Sequence, residues 1–114
     1  DNLFMGYVHV AHDCVIGNRC IFANAATLAG HVHVDDAAVV GGMTPIHQFV
    51  HIGSLAMVAG ASAVSQDVPP FCMVEGNRAK LRGLNLTGLR RALSDRKDID
   101  KIKKAYKELF ESNK

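Results

Sequence analysis

Residues 22–46 read "FANAATLAGHVHVDDAAVVGGMTPI". Phe22, Leu28, Val34, Val40 and Ile46 stand six apart in it. The same step carried outward meets Phe4, Val10 and Ile16 on one side and Ile52, Val58 and Val64 on the other, all aliphatic or Phe, with no insertion. A second six-residue series runs Val8, Cys14, Cys20, Ala26, Val32, Ala38, Thr44, Val50, Ala56, Ser62, Val68, and every member is small or β-branched. The residue after each large apolar position is usually small, as at Ala11, Gly17, Ala23, Ala29, Gly41, Gly53, Ala59 and Ser65. A helix repeats near 3.6 residues and a half-buried strand at 2, and neither produces a strict six.

A solenoid of short strands does produce it. Each hexad is then one strand and one corner, with two side chains inward and the rest outward. A single hexad buries too little apolar surface to stand alone, so neighbours must stack. Three hexads close one triangular coil, and residues 18 apart lie above one another at the strand spacing of about 4.8 Å. An all-β sandwich with an accidental period is the alternative, but sandwiches space their strands irregularly, with turn signals every 8–12 residues. The pattern resembles the hexapeptide-repeat family, which implies an all-β left-handed parallel β-helix that trimerises. The hand follows from the resemblance, since ordinary parallel crossovers are right-handed.

The repeat gives the boundaries: coils over 1–68, a connector over 69–84 and a helical tail over 85–114. At "DVPPF" (67–71) two prolines, which cannot donate to a ladder, stop the coil. Leu86, Leu89, Arg90 and Leu93 suggest a short helix. Ile99, Ile102, Tyr106, Leu109 and Phe110 mark one face of a second, with Asp95 and Asp98 at its start and "ESNK" (111–114) as a frayed or truncated end.

Composition narrows the class. With 48% hydrophobic and 21% charged residues, the 114-residue chain has the make-up of a soluble globular protein of one domain plus an appendage. No apolar run reaches the roughly 20 residues a membrane span requires. No signal peptide is visible and there is no starting Met, so the chain is expected to begin within a longer protein. Cys14, Cys20 and Cys72 are an odd set without zinc-type spacing, which fits a reducing cytoplasm. The net charge of +2 is divided: residues 1–68 hold all six histidines with one basic and five acidic residues, and residues 85–114 hold nine Lys/Arg against five Asp/Glu. That basic tail lacks aromatic interleaving and any groove-reading motif, so nucleic acid is not an expected partner.

Projected on the coil, His12 stacks on Gly30 and Asp13 on His31, a two-by-two patch on adjacent coils. His9 lies three residues before His12. His47 takes a position where nearly every hexad has a small residue, and a broken rule in a regular scaffold points to function. His33 and His51 stack in another column and are read as surface polarity. The patch admits three readings: exposed polar residues; a metal site, given three or four converging ligands at about 2.0–2.3 Å; or acid–base catalysis, in which His12 takes a proton near neutral pH, Asp13 fixes its tautomer and the Gly30 amide meets an oxyanion. The third reading uses all four residues, whereas the metal reading leaves Asp13 and Gly30 unexplained.

The stretch "HVAHDCVIGNRCIFANAATLAGHVHVDDAAVVGGMTPIHQFVHIG", together with "SQDVPPF", "EGNRA" and "LNLTGLRR", closely resembles the UDP-N-acetylglucosamine 3-O-acyltransferases, the first enzymes of lipid A synthesis, from about Leu3 through Arg91. The resemblance implies an O-acyltransferase. Its donor would be a (3R)-hydroxyacyl thioester on the phosphopantetheine of acyl carrier protein, its acceptor UDP-N-acetylglucosamine, with no cofactor, in a cytoplasmic homotrimer. Carried over by position, it makes His12 the general base, Asp13 its orienting residue and Gly30 the oxyanion donor. His9, His31 and His47 become pocket residues and Gln48 a contact to the nucleotide sugar. Asn85 and Arg91 would hold the nucleotide and the acyl donor, an Arg fitting phosphate by its planar fork. Gly60 matches a position associated with acyl-chain length. The family has further N-terminal coils not found here, Thr87 stands where many relatives are acidic, and Arg78 where some carry His. Remaining rivals are an inactive trimeric scaffold, a metal-dependent β-helical hydratase of carbonic anhydrase type, and a sister enzyme that acylates a glucosamine amine but lacks the "HQF" context.

Overall fold

The computed structural model describes residues 1–110, so the expected frayed end at 111–114 lies outside the described residues. Ten strands of two residues follow one another: β1 Leu3–Phe4, β2 His9–Val10, β3 Val15–Ile16, β4 Ile21–Phe22, β5 Thr27–Leu28, β6 His33–Val34, β7 Val39–Val40, β8 Pro45–Ile46, β9 His51–Ile52 and β10 Met57–Val58. They sort into three parallel sheets, one per face of a triangular prism: β1-β4-β7-β10, β2-β5-β8 and β3-β6-β9. Leu3 pairs with Ile21, His9 with Thr27 and Val15 with His33, the 18-residue register that three hexads per coil require. The coils wind as a left-handed β-helix, as expected.

Both inward series fill the axis. Phe22, Leu28, Val34, Val40, Ile46, Ile52, Val58 and Val64 are buried, interleaved with Cys20, Ala26, Val32, Ala38, Thr44, Val50, Ala56 and Ser62. Thr44 meets the polar cost of burial by donating its hydroxyl to the Gly42 and Ala59 carbonyls. The third, small-residue series is explained by coil-to-coil contact: a Cβ on Gly41 would sit 2.5 Å from the Gly60 nitrogen, and one on Gly53 2.5 Å from the Pro70 nitrogen.

The corners hold a feature that hydrophobic spacing does not reveal. Tyr7, Asp13, Arg19, Ala25, His31, Ala37, Met43, Phe49, Leu55 and Ala61 all have φ between 54° and 65°. For residues with a Cβ this left-handed conformation costs on the order of 1–2 kcal/mol each. A hydrogen bond between coils offsets it: the corner N–H donates to the carbonyl one coil below, as from Ala25 to Gly6 at 2.8 Å, His31 to His12 at 3.0 Å and Ala61 to Gly42 at 2.8 Å.

The connector expected over 69–84 is corrected. Val68 still bridges Ile52 on the third face, Pro69 and Pro70 lead into a corner at Phe71, and the chain then rejoins the first sheet as β11, Cys72–Glu75, parallel to β10 with Val58 opposite Val74. This coil is two residues short, a separation of 16 rather than 18, which is why the hexad count loses it. β12, Lys80–Leu84, folds back antiparallel on β11. Val74 joins the buried core, with Ala79 and Leu81 packed against it, so the hairpin caps the prism.

Both tail helices form. Asn85 caps α1, Leu86–Ala92, by accepting from the Gly88 N–H. The Asp95 carboxylate accepts from the Lys97 N–H at the head of α2, Arg96–Phe110. Leu89 and Ile99 are the buried anchors, whereas Leu109, expected on the packed face, is exposed. None of the described helices is long and apolar enough to cross a membrane.

The three cysteines are free thiols. Burial pushes the Cys72 thiol up to about 11 from the ordinary 9.0. Burial likewise raises Cys20, with the nearby Asp36 and Asp35 adding to it. The folded chain therefore keeps protons that the unfolded chain releases above pH 9, so stability declines as pH climbs from about 9 toward 11. Urea midpoints measured across that window should fall, and should fall less steeply in Cys72→Ala.

Candidate active site

One corner of the prism stacks His12–Asp13, Gly30–His31 and Gln48–Phe49 on three successive coils. The second residue of each pair takes the left-handed conformation, and His31 N–H donates to the His12 carbonyl and Phe49 N–H to that of Gly30. The expected two-by-two patch is thus present. The His12 Nδ1 lies 3.1 Å from Asp13 Oδ2 and the His31 Nε2 lies 3.8 Å from the same oxygen. The two imidazoles meet edge to face at 5.1 Å. A carboxylate facing Nδ1 favours the tautomer with the proton there, which leaves the His12 Nε2 lone pair free as a base.

Gly30 is buried directly over the His12 ring. A Cβ built on it would sit 2.8 Å from His12 Nε2 and 2.7 Å from Cε1, so only glycine lets the imidazole lie there. Among the described residues its own N–H has no acceptor. First corner positions generally share that freedom; what distinguishes Gly30 is that no side chain covers the N–H and an imidazole lies beside it. Gly30→Ala is expected to leave the fold intact and push the ring off Asp13; for an imidazole acting as a base, such a displacement of about an ångström lowers the rate up to about 10²-fold. Steady-state kinetics with circular dichroism as the folding control checks it.

His47 follows Ala11 and Ala29 in the small-residue column. Its N–H donates to Val64 O, as theirs do to Leu28 and Ile46 in turn, so an imidazole projects beside the corner where its neighbours have only a methyl. Gln48 belongs to the corner itself, and His9 lies on β2, opposite Thr27. Three expected residues lie elsewhere. Gly60 is on the corner that carries Gly42, its Cβ direction open apart from an ordinary contact with Gly42. Asn85 is buried on the third corner, its side-chain amide donating to the Leu55 carbonyl while its oxygen caps α1. Arg91 is exposed on α1.

Phe49 was not anticipated. Its ring stacks on His31 at 4.8 Å and 10°, holding that imidazole against the patch. The signal was available, as Phe49 is 18 residues after His31. The His12, Asp13 and His31 ligand atoms also lie within 4.8 Å of one another, close enough to hold a metal ion. In a single chain the corner is a rim rather than a pocket, with the His12 and Asp13 side chains 69% and 68% exposed.

A six-residue parallel β-helix whose corner sets a histidine–aspartate pair beneath a bare glycine defines a hexapeptide-repeat protein. Residues 67–114 match the family model described as UDP-N-acetylglucosamine O-acyltransferase, domain 2. The whole chain is 73% identical to the acyl-[acyl-carrier-protein]–UDP-N-acetylglucosamine O-acyltransferase of Nautilia profundicola and 71% identical to that of Aliarcobacter butzleri, covering 44% of each. The solved UDP-N-acetylglucosamine acyltransferase from Campylobacter jejuni superposes with a TM-score of 0.93 at 57% identity, over 96% of this chain and 43% of that one. The chain therefore spans less than half the length of these relatives. Over the part it spans, it is similar to the UDP-N-acetylglucosamine O-acyltransferases.

Proposed function

We propose that this chain supplies the catalytic corner of an O-acyltransferase that moves a (3R)-hydroxyacyl group from acyl carrier protein to the 3-hydroxyl of UDP-N-acetylglucosamine, the opening step of lipid A synthesis, in the cytoplasm. The observation that carries this is the His12–Asp13 pair with the Gly30 amide beside the imidazole. His12 Nε2 takes the proton of the 3-hydroxyl as its oxygen attacks the thioester carbonyl. The Gly30 N–H donates to the oxyanion that forms. Collapse breaks the carbon–sulfur bond, and the departing thiolate recovers the proton from the imidazolium, which Asp13 has stabilised. The step draws on no cofactor.

Assembly enters the proposal through geometry. The expected residues sit on all three corners: the histidine patch with Gln48 on one, Gly60 on another, Asn85 on the third. A convex prism cannot bring its own three edges together, so one site built from them requires neighbouring chains. A homotrimer meets that requirement, placing the histidine corner of one chain against other edges of the next. His9, His31, His47 and Gln48 would then line the sugar site, Asn85 and Arg91 the nucleotide and phosphopantetheine, and Gly60 the acyl groove.

The test is an assay with acyl carrier protein thioester and UDP-N-acetylglucosamine, alongside the oligomeric mass. Ester formed at the 3-hydroxyl by a trimer supports the reading. An inactive trimer would favour a scaffold, and activity lost to chelators and restored by metal would favour a hydratase-like metal site at the same corner.

A further inference from the structure

The face formed by β3, β6 and β9 carries a second histidine cluster that the proposed reaction leaves unused. His33 and His51 pair in register on adjacent coils, their rings stacked at 4.4 Å and 17°. Asp35 lies between them and binds both: its Oδ1 is 3.2 Å from His33 Nε2 and its Oδ2 is 2.8 Å from His51 Nε2. We propose that His33, Asp35 and His51 form a binding site for a divalent first-row transition ion of the Zn²⁺ type, separate from the His12 corner and acting as a clasp between two coils.

Donor type, spacing and rigidity argue for it. Two imidazole nitrogens and one carboxylate suit zinc, cobalt or nickel, whereas calcium and magnesium take oxygen ligands. Zinc bonds to such atoms at about 2.0–2.2 Å, so two ligands at a tetrahedral angle stand roughly 3.3–3.5 Å apart. The His33–Asp35 separation of 3.2 Å is nearly there, the His51–Asp35 separation of 2.8 Å must widen by roughly half an ångström or slightly more, and the full ligand set lies within 4.8 Å. The backbone holds all three residues: His33 N–H donates to Val50 O and Asp35 N–H to Ile52 O, and His51 N–H to Asp67 Oδ1. Only side-chain torsions remain to be ordered on binding. The ligands are partly exposed, and a depression bounded by Gly53, Asp67 and Pro70 adjoins them, so water can complete the coordination. The competing arrangement uses the same atoms, each imidazole donating a proton to one carboxylate oxygen with no ion between.

Titrating the metal-free protein with Zn²⁺, and with Co²⁺ as the spectroscopic probe, separates the two. The expected result is saturable binding of about one ion per chain at this face and a Zn²⁺-dependent rise in melting temperature. His33→Gln, His51→Gln and Asp35→Asn, each checked for folding by circular dichroism, should weaken binding at least roughly 10–100-fold, the loss seen even when an outer partner of a metal ligand is removed. His12→Ala and His31→Gln should leave it unchanged. No saturable binding below millimolar Zn²⁺ would overturn the proposal. So would binding that survives His33→Gln and His51→Gln, or that disappears with His12→Ala. Acyl transfer is not a readout here, so the outcome stands apart from the catalytic reading.

Discussion

Replacing His12 by alanine is expected to lower the turnover of active protein by about 10²–10⁴-fold, the range that general acid–base catalysis contributes, with nucleotide-sugar binding little changed. The expectation rests on what His12 does and does not touch. Its Nδ1 is engaged by Asp13 at 3.1 Å, and its Nε2 side faces the open space under Gly30. It supports no core contact, so the fold should survive the substitution. Asp13→Asn should cost less, because the amide can still hold the ring but no longer stabilises the imidazolium. Pre-steady-state turnover measured beside equilibrium binding of UDP-N-acetylglucosamine separates the two effects. Near-normal turnover in His12→Ala would remove the base from the mechanism.

Phe22→Ala should destabilise the prism by about 3–5 kcal/mol, the usual cost of deleting a buried aromatic ring. Phe22 is fully buried and stacks on Phe4 at 5.0 Å. It also lies in register with Val40 on the next coil. In a solenoid each coil is held only by its neighbours, so a cavity in one coil weakens two interfaces together. Phe4→Ala is the internal control: Phe4 is 46% exposed, so less apolar area returns to water and the loss should be smaller. Urea midpoints at one fixed protein concentration compare the two, the concentration mattering wherever chains associate. Equal losses would mean that the axis is not packed as described.

Most of the candidate corner was legible because the scaffold is periodic. Once Leu3 pairs with Ile21, addition of 18 places His12 by Gly30 and Asp13 by His31 without further information. The same arithmetic placed His33 on His51, yet the cluster there was read as surface polarity. Its third member, Asp35, comes two residues after His33, and stacking arithmetic says nothing of side chains that lean along a coil. Phe49 over His31 was overlooked because the step of 18 was applied to the histidines, Asp13 and Gly30 but not carried on from His31 to the next coil. The hairpin of β11 and β12 escaped because the period shortens by two between Val64 and Val68, just before Pro69 and Pro70, and a fixed step cannot follow a deletion.

The amino-acid order alone determined the repeat, the two inward series, the stacking of His12 on Gly30 and the helical character of the tail. Each follows from which side chains must leave water and how often, a property of spacing along the chain. Only the tertiary structure decided the rest: the left-handed backbone at residues such as His31 and Phe49, the seating of Asn85 inside the third corner rather than near the histidines, and the meeting of Asp35 with two imidazoles. These depend on where backbone hydrogen bonds between coils let a side chain point, and that direction is settled by neighbours 16 to 30 residues away.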